Sequence, residues 1–457
     1  MIWNKNMWLY LVVFVLTIFG LVLHLGFLSY PNETVFDEVH FGKFASAYFT
    51  GAYYFDIHPP LGKLLIALGA WLGGYGGYVR EYGAFLFTNI GDPYGSVPYG
   101  WFRLLPAIAG SFIPLAVYGF MRSLRLGHHA SLFAMFCLVF ENALLAHTRL
   151  MLLDSFLLLF GFLGLAAFFT SRNRGYSWLM LMTAGALFSL SFSTKWTGIS
   201  FLGLAGLVMI YDLIRCNRER LGSRVSIILK GIGCMGLISF LIYGGIFYVH
   251  FTLLPHTGPG DAYMSQDFRN HKLSLTGKLF ELNQKMAFYN ATLKATHSYG
   301  SPAWSWPILS RPIFYWHQQI SSGIAGRIYL MGNPVLWWMS CIGIIAFIVF
   351  IRQLGYIDGI AKAVLLVGYG ANFFPFFSVS RVLFLYHYFA AFIISVVMLG
   401  VVMEHGFSRF SPKRTWIAWF LCAMLIVVLF CFFAPLTFGI PMSDAWYRVH
   451  TWMPSWI

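Results

Sequence analysis

Charge is what this sequence lacks most. Asp, Glu, Lys and Arg make up 10% of its 457 residues, where ordinary soluble domains carry about 25%. A soluble fold of this length could not cover its surface with so few charges, so most of that surface is expected to face lipid. Acids are scarcer still, 16 against 30 Lys and Arg, for a formal charge of +14. The cations stand singly between apolar runs rather than along one stripe, which argues against nucleic-acid binding. Six cysteines are present, Cys137, Cys216, Cys234, Cys341, Cys422 and Cys431, and none lies in the two long polar segments. A disulfide framework and a CxxC metal or redox site are thereby excluded, leaving packing as their role. No P-loop, dinucleotide fingerprint or metal-ligand spacing occurs, so no metal and no cofactor is expected. No internal repeat is visible either.

What the chain has in abundance is long apolar runs. A membrane-crossing helix needs about 20 mostly apolar residues. Eleven stretches qualify, near 7–29, 103–122, 130–148, 151–170, 177–194, 197–214, 228–250, 331–351, 361–379, 382–403 and 415–434. The run 61–72 is too short and is read as a helix lying at the interface or dipping partway into the membrane. The first run is too long for a cleaved signal peptide and no small-residue cleavage site follows it. Alternate connections hold the basic clusters: Arg122 and Arg125; Arg172 and Arg174; Arg215, Arg218, Arg220 and Arg224; Arg352 and Lys362; Arg409, Lys413 and Arg414. By the positive-inside rule these are cytoplasmic, as is the N-terminus with Lys5. The expected product is an all-α polytopic membrane protein, one transmembrane domain over 1–434. Two long external loops, about 30–102 and 251–330, carry short amphipathic helices, and an external tail covers 435–457.

The short loops on the outer side each carry one basic residue beside a motif: Arg149 before Asp154, Lys195 in Ser-Thr-Lys-Trp, and Arg381 in Ser-Arg-Val-Leu-Phe. A lone cation at a helix end commonly snorkels to the interface. Three on one outer face also suit an anionic ligand such as a lipid-linked phosphate. In the first external loop, Phe41, Phe44, Ala45 and Tyr48 repeat at helical spacing behind Asp37 and Glu38. Thr34-x-x-Asp37 fits a capping pattern, in which the acid only satisfies backbone N–H groups. Against that stands the cost of a carboxylate beside a membrane span without a partner or a task. Asp56 and His58 follow in another aromatic stretch, with Pro59 and Pro60 setting a helix start at Leu61 and Lys63 in its first turn. In the second external loop, Leu275, Leu279, Leu282 and Met286 form one helical face, suited to a helix on the membrane surface. The stretch from His297 to Pro307, with Trp304 and Trp306, is either an interfacial anchor or a wall on which a sugar stacks.

At these residues the chain resembles the protein O-mannosyltransferases, glycosyltransferase family 39. The matching stretches are Phe36-Asp37-Glu38-Val39-His40-Phe41-Gly42-Lys43, Phe55-Asp56-Ile57-His58-Pro59-Pro60-Leu61-Gly62-Lys63, and Arg149-Leu150-Met151-Leu152-Leu153-Asp154-Ser155. Ser193-Thr194-Lys195-Trp196-Thr197-Gly198, the His297–Pro307 loop, Gly332-Asn333-Pro334 and Arg381-Val382-Leu383-Phe384-Leu385-Tyr386-His387-Tyr388 continue the series, over roughly 33–390. The resemblance implies a GT-C fold of eleven spans and an inverting transfer of mannose from a polyprenyl or dolichyl phosphate to Ser or Thr of a translocated protein. Eukaryotic members insert a β-trefoil module in the second external loop. The loop here is too short for one, which points to a prokaryotic member in a plasma membrane, with its active site external and acceptors reached near the translocon.

The chemistry assigns roles. An attacking hydroxyl needs a base, and Asp37 is the candidate, with Glu38 beside it in the same catalytic pair or positioning it. The departing lipid phosphate needs fixed cations. Arg103, which matches a family arginine, is the first candidate, followed by Lys195, Arg149 and Arg381. Asp56, His58, Asp154, His297 and Trp306 are assigned to positioning the substrate. Two rival readings stay open: a transferase using another sugar or a lipid or glycan acceptor, and a transporter or flippase of a lipid-linked or anionic solute.

Overall fold

The computed structural model describes residues 5–215, 221–294 and 296–456. Of the residues singled out above, Cys216, Arg218 and Arg220 lie outside them. All eleven apolar stretches fall on helices, but by length and composition eight qualify as membrane spans. A ninth is the pair His128–Val139 and Asn142–Thr148, bent by 58° at the break between them. The other two stretches, Trp178–Phe192 and Pro334–Val349, form helices of 15 and 16 residues, short of the usual hydrocarbon thickness. Of the eleven expected spans, eight or nine thus reach full length among the described residues, and the other two stretches are shorter apolar helices. Leu61–Leu72 is a further short helix, with Gly73 at its C-cap. The span Arg224–Leu253 runs through a π-helical stretch at Gly231–Leu237.

The helix Phe389–Phe407 is buried along nearly its whole length and forms the centre of the bundle, packed against Pro334–Val349 and His128–Val139. Lys5–Leu25 and Pro412–Phe438 lie at the periphery, and Phe14 and Phe420 leave 62% and 65% of their surface uncovered. An exposed apolar face of this length is stable only against lipid. The bend in the ninth span is held by Glu141. Its carboxylate accepts the backbone N–H of Leu144 (2.5 Å) and Asn333 (2.9 Å) and the indole N–H of Trp337 (2.9 Å). That grip explains the Gly332-Asn333-Pro334 stretch: Asn333 also caps Pro334–Val349 through its own side chain.

The second long polar segment, about 251–330, is not purely helical. After the helix Leu275–Thr292 it forms a hairpin of β1 (Ile313–Ser321) and β2 (Ile324–Leu330), and β3 (Met442–Ser443) from the C-terminal tail adds to β2. Both pairings are antiparallel, with Ile313 opposite Leu330 and Ala325 opposite Met442. A β-branched and aromatic run around a turn at Gly323, whose φ is +72°, is a hairpin signal. The tail is anchored by buried His450 and by Trp456, whose indole donates to Leu309 O at 2.8 Å.

Candidate active site

Asp37 stands at the N-cap of the helix Glu38–Thr50, yet its side chain makes no capping bond. Thr34 turns to the carbonyl of Asp92 instead, so the capping alternative is not realised. Every other described acid accepts a hydrogen bond, joins an ion pair or bonds a neighbouring side chain; Asp37 alone has no partner among the described residues. Burial raises its pKa to about 6, against the pull of His40 and Lys195 and with a further push from Asp154 and Asp56. The preceding Phe36 has φ +45°, a left-handed backbone unusual for a bulky residue. It is held there by stacking on Tyr315 at 4.1 Å and by donating its N–H to the Tyr315 carbonyl at 3.2 Å. Gly42 lets this helix approach: a Cβ there would meet the Phe87 ring at 2.2 Å.

Glu38 has the opposite environment. It is fully buried and accepts from Arg103 Nε (2.7 Å) and Nη2 (2.8 Å), Tyr94 Oη (2.9 Å) and the N–H groups of Val35 (3.0 Å) and Met151 (3.2 Å). No lone pair is left for a substrate, so its place in a catalytic pair is corrected: it anchors the turn that presents Asp37. Arg103 spends its remaining N–H groups on the carbonyls of Leu28, Pro31 and Glu33. Arg149 is likewise buried, donating to the carbonyls of Phe27, Tyr30 and Thr437 with its guanidinium over the Phe438 ring. Neither Arg103 nor Arg149, the two arginines expected at the donor phosphate, lines the cavity described below; their guanidinium groups are spent largely on the protein itself.

The remaining candidates converge. Asp56 pairs with Lys63, which also donates to the His58 carbonyl at 2.6 Å. Burial alone would raise the Asp56 pKa, but Lys63 and His58 hold it below the usual carboxylate range. Burial lowers the His58 imidazole to about 3, so it is neutral at physiological pH. Gly62 lets the helix Leu61–Leu72 pack against the residues before two spans, since a Cβ there would meet Leu153 at 2.7 Å and Thr194 at 3.1 Å. Asp154 takes two bonds from Lys195 Nζ (2.9 and 2.8 Å) and one from His147 Nε2 (2.9 Å). The other ring nitrogen of His147 meets Tyr315 Oη at 2.6 Å. Because a carboxylate only accepts, Nε2 must carry a proton, and in the neutral ring Nδ1 takes the Tyr315 proton.

His58, Asp154, Lys195 and Arg381 line one cavity, together with Asn290, Tyr386 and His387 and an apolar wall including Leu157, Leu158, Phe201 and Phe389. Lys195 sits over the Tyr386 ring at 4.9 Å. Arg381 is half-buried and, among the described residues, makes no hydrogen bond, ion pair or ring contact; burial lowers its pKa, opposed by Tyr386 and Asp56. Trp306 does not face the cavity: it is fully buried, bonded to Ser301 Oγ at 3.0 Å, and backs His387. His297 is exposed beside Phe384 and lies outside the cavity. Neither of these two expected substrate-positioning residues therefore lines the cavity.

A family model described as dolichyl-phosphate-mannose-protein mannosyltransferase matches residues 14–255, more than half of the chain. The chain belongs to this family. A second model, the C-terminal four-TMM region of protein-O-mannosyltransferase, matches 275–456. Among curated mannosyltransferase relatives, dolichyl-phosphate-mannose–protein mannosyltransferase 4 of Candida albicans is 38% identical over 254 residues, covering 53% of this chain and 33% of that protein. Protein O-mannosyl-transferase 1 of Mus musculus is 35% identical over 307 residues, covering 63% and 40%. The chain thus spans about a third of the length of the curated relatives it matches. The fold matches the S. cerevisiae protein O-mannosyltransferase Pmt1-Pmt2 complex bound to the sugar donor, with a TM-score of 0.89, 20% identity and coverage of 100% and 93%. It also matches the archaeal oligosaccharyltransferase AglB from Archaeoglobus fulgidus, at a TM-score of 0.58, 13% identity and coverage of 99% and 58%. These likenesses establish the GT-C fold of this mannosyltransferase-family chain.

Several residues of the site escaped the reading of the sequence. His147 and Tyr315 join Asp154 to the neighbourhood of Asp37, yet 168 positions separate them. The spacing of His147 seven residues before Asp154 was the one local signal. Asn290 reaches the cavity from the amphipathic helix, bonding the Ile57 carbonyl at 2.8 Å. It lies one turn beyond Met286 on the same helical face, but it carries no charge, so nothing in its pattern marked it.

Proposed function

We propose that this chain moves mannose, with inversion, from a polyprenyl or dolichyl phosphate to Ser and Thr hydroxyls of translocated proteins. One observation carries the reading. Glu38, Asp56 and Asp154 are each bound to a cation, which leaves one acid and one cation over: Asp37, beside the cavity and within electrostatic reach of Lys195, Asp154 and Asp56, and Arg381, in its lining. A free base and a free cation are what displacement of a lipid phosphate by an alcohol needs. The acceptor hydroxyl gives its proton to the Asp37 carboxylate as its oxygen bonds the anomeric carbon. The bond from that carbon to the phosphate oxygen breaks, and the phosphate leaves with the electron pair. Arg381, with Lys195 held by Asp154, receives the anion, and the apolar wall takes the start of the prenyl chain. The leaving group is already a phosphate, so the step calls for no cofactor.

Family membership and the basic clusters on alternate connections support a multi-pass protein with its N-terminus cytoplasmic and the site on the external face. In this reading it works in a prokaryotic plasma membrane on protein acceptors emerging near the translocon. The test uses membranes containing the chain, labelled polyprenyl-phosphate mannose and a Ser/Thr peptide. Label should enter the peptide and be absent with Asp37→Asn. Label entering lipid or glycan instead assigns a different acceptor, and solute counterflow without any covalent product would replace the enzyme with a transporter.

A further inference from the structure

The geometry points to a second binding site, for a phosphate ester, on the outer side and separate from the Lys195 cavity. A recess there has Tyr53 in its lining, with Arg269 and Lys278 around it. Tyr53 is 3% exposed, and its hydroxyl has no hydrogen-bond partner within the protein. Its neighbours do not share that condition: Tyr54 donates to Tyr48 at 2.7 Å, and Tyr48 meets His250 at 2.9 Å. A buried hydroxyl without a partner is rare in a folded protein and calls for a group to bond it.

The cations around the recess are also unspent. Lys278 Nζ lies 3.1 Å from His271 Nδ1 and over the Phe268 ring at 5.4 Å, with no carboxylate partner. Arg269 bonds only the carbonyl of Ser265, at 3.4 Å, within its own turn. The acid in the lining, Asp261, is turned to the backbone N–H of Gly258 at 3.0 Å. Two free cations and a free phenol in one recess suit a ligand with several acceptor oxygens and negative charge. Phosphate meets both conditions, and a guanidinium fork matches it geometrically.

The place admits two sources of phosphate. Phe251 and Leu254 of the lining stand at the C-terminal end of the span Arg224–Leu253, which on the proposed topology is the outer end, where a membrane's head groups would lie. A phospholipid head group and a soluble phosphate ester would present the same chemistry. Either would brace the run leading to the mannosyl-transfer site. Tyr53 is tied to the recess by its N–H to the His256 carbonyl (2.9 Å) and by its carbonyl to Gly260 N–H (3.0 Å), and Asp56 and His58 follow it directly.

The full chain, reconstituted in phosphatidylglycerol nanodiscs and released into detergent for native mass spectrometry, should retain the lipid. Arg269→Gln and Lys278→Gln should each lower retention about fivefold, and Tyr53→Phe should lower it with the melting temperature unchanged. In a parallel arm, detergent-purified protein is titrated with inorganic phosphate. A thermal shift in the wild type that the Arg269→Gln/Lys278→Gln double variant loses, without lipid retention, assigns the site to a soluble phosphate. If the double variant matches the wild type in both arms, the site does not exist, whatever the chain's transfer activity proves to be.

Discussion

Arg103 meets Glu38 edge-on, Nε to Oε1 at 2.7 Å and Nη2 to Oε2 at 2.8 Å, with both side chains closed to solvent. The pair ties the turn before the helix Glu38–Thr50 to the span Tyr99–Ser123. Because Glu38 also takes the N–H of Met151, it reaches the loop that leads to Asp154. Asp37 is therefore positioned by its neighbour's bonds rather than by its own.

Removing one member of this pair should be a stability defect first. Arg103→Ala strands a carboxylate in a dry interior, and breaking such a pair costs about 3–5 kcal/mol. Arg103→Lys should recover only part, since an ammonium cannot make the two parallel bonds. Thermal unfolding in detergent reads both. An Arg103→Ala protein that melts like the wild type but binds donor poorly would return Arg103 to the phosphate.

Asp37→Asn should fold and melt at or above the wild-type temperature, because no bond within the protein is lost and a buried charge is removed, while transfer falls about 10²–10⁴-fold. The base must be ionised to accept the hydroxyl proton. With a pKa raised to about 6, kcat/KM should be flat above that pH and fall tenfold per unit below it. An ordinary Asp would place the fall near pH 4. A rate that holds level down to pH 5 would remove Asp37 as the base.

Arg381→Gln should act on the donor. Losing a charge-assisted bond of about 1.5–3 kcal/mol raises the donor KM roughly 10- to 100-fold, with the melting temperature held because no bond within the protein is broken. Lys195→Gln should cost stability as well, since it leaves Asp154 with His147 alone. Steady-state kinetics against lipid-phosphate mannose, beside melting curves, separates the two. Equal losses of stability would make Arg381 a structural cation.

His147→Phe keeps much of the ring volume but leaves Asp154 and Tyr315 each one bond short. Stability should fall by about 1–3 kcal/mol and kcat more than KM, because Asp154 no longer holds Lys195 in one orientation. His147→Gln, which can still donate to Asp154, should rescue part of the kcat. Matching kcat values for the two variants would deny His147 a positioning role.

Much of this was legible in the sequence for a physical reason. A membrane protein has few charges, so each one outside the basic clusters stands out, and Asp154, Lys195 and Arg381 from three separate loops do line one cavity. What composition cannot report is which charges are already spent. Arg103 and Glu38 are 65 positions apart, and their pairing exists only once two helices pack. Arg149 looks as free as Arg381 in a string of letters, yet three carbonyls surround it. The hairpin escaped because aromatic residues that alternate in a strand read equally as an interfacial belt. Two of the eleven apolar stretches hold helices of only 15 and 16 residues because apolar loop residues on either side extend the run beyond the helix itself.

The strand added by the tail gives remote residues a stake in the chemistry. Met442 and Ser443 hold β2, β2 holds β1, and β1 carries the Tyr315 ring that keeps Phe36 in its left-handed turn one residue before the carboxylate. Proteolytic nicking just after Phe438 should thus loosen a side chain more than 400 positions upstream, and a spectroscopic label on Tyr315 would register the cut.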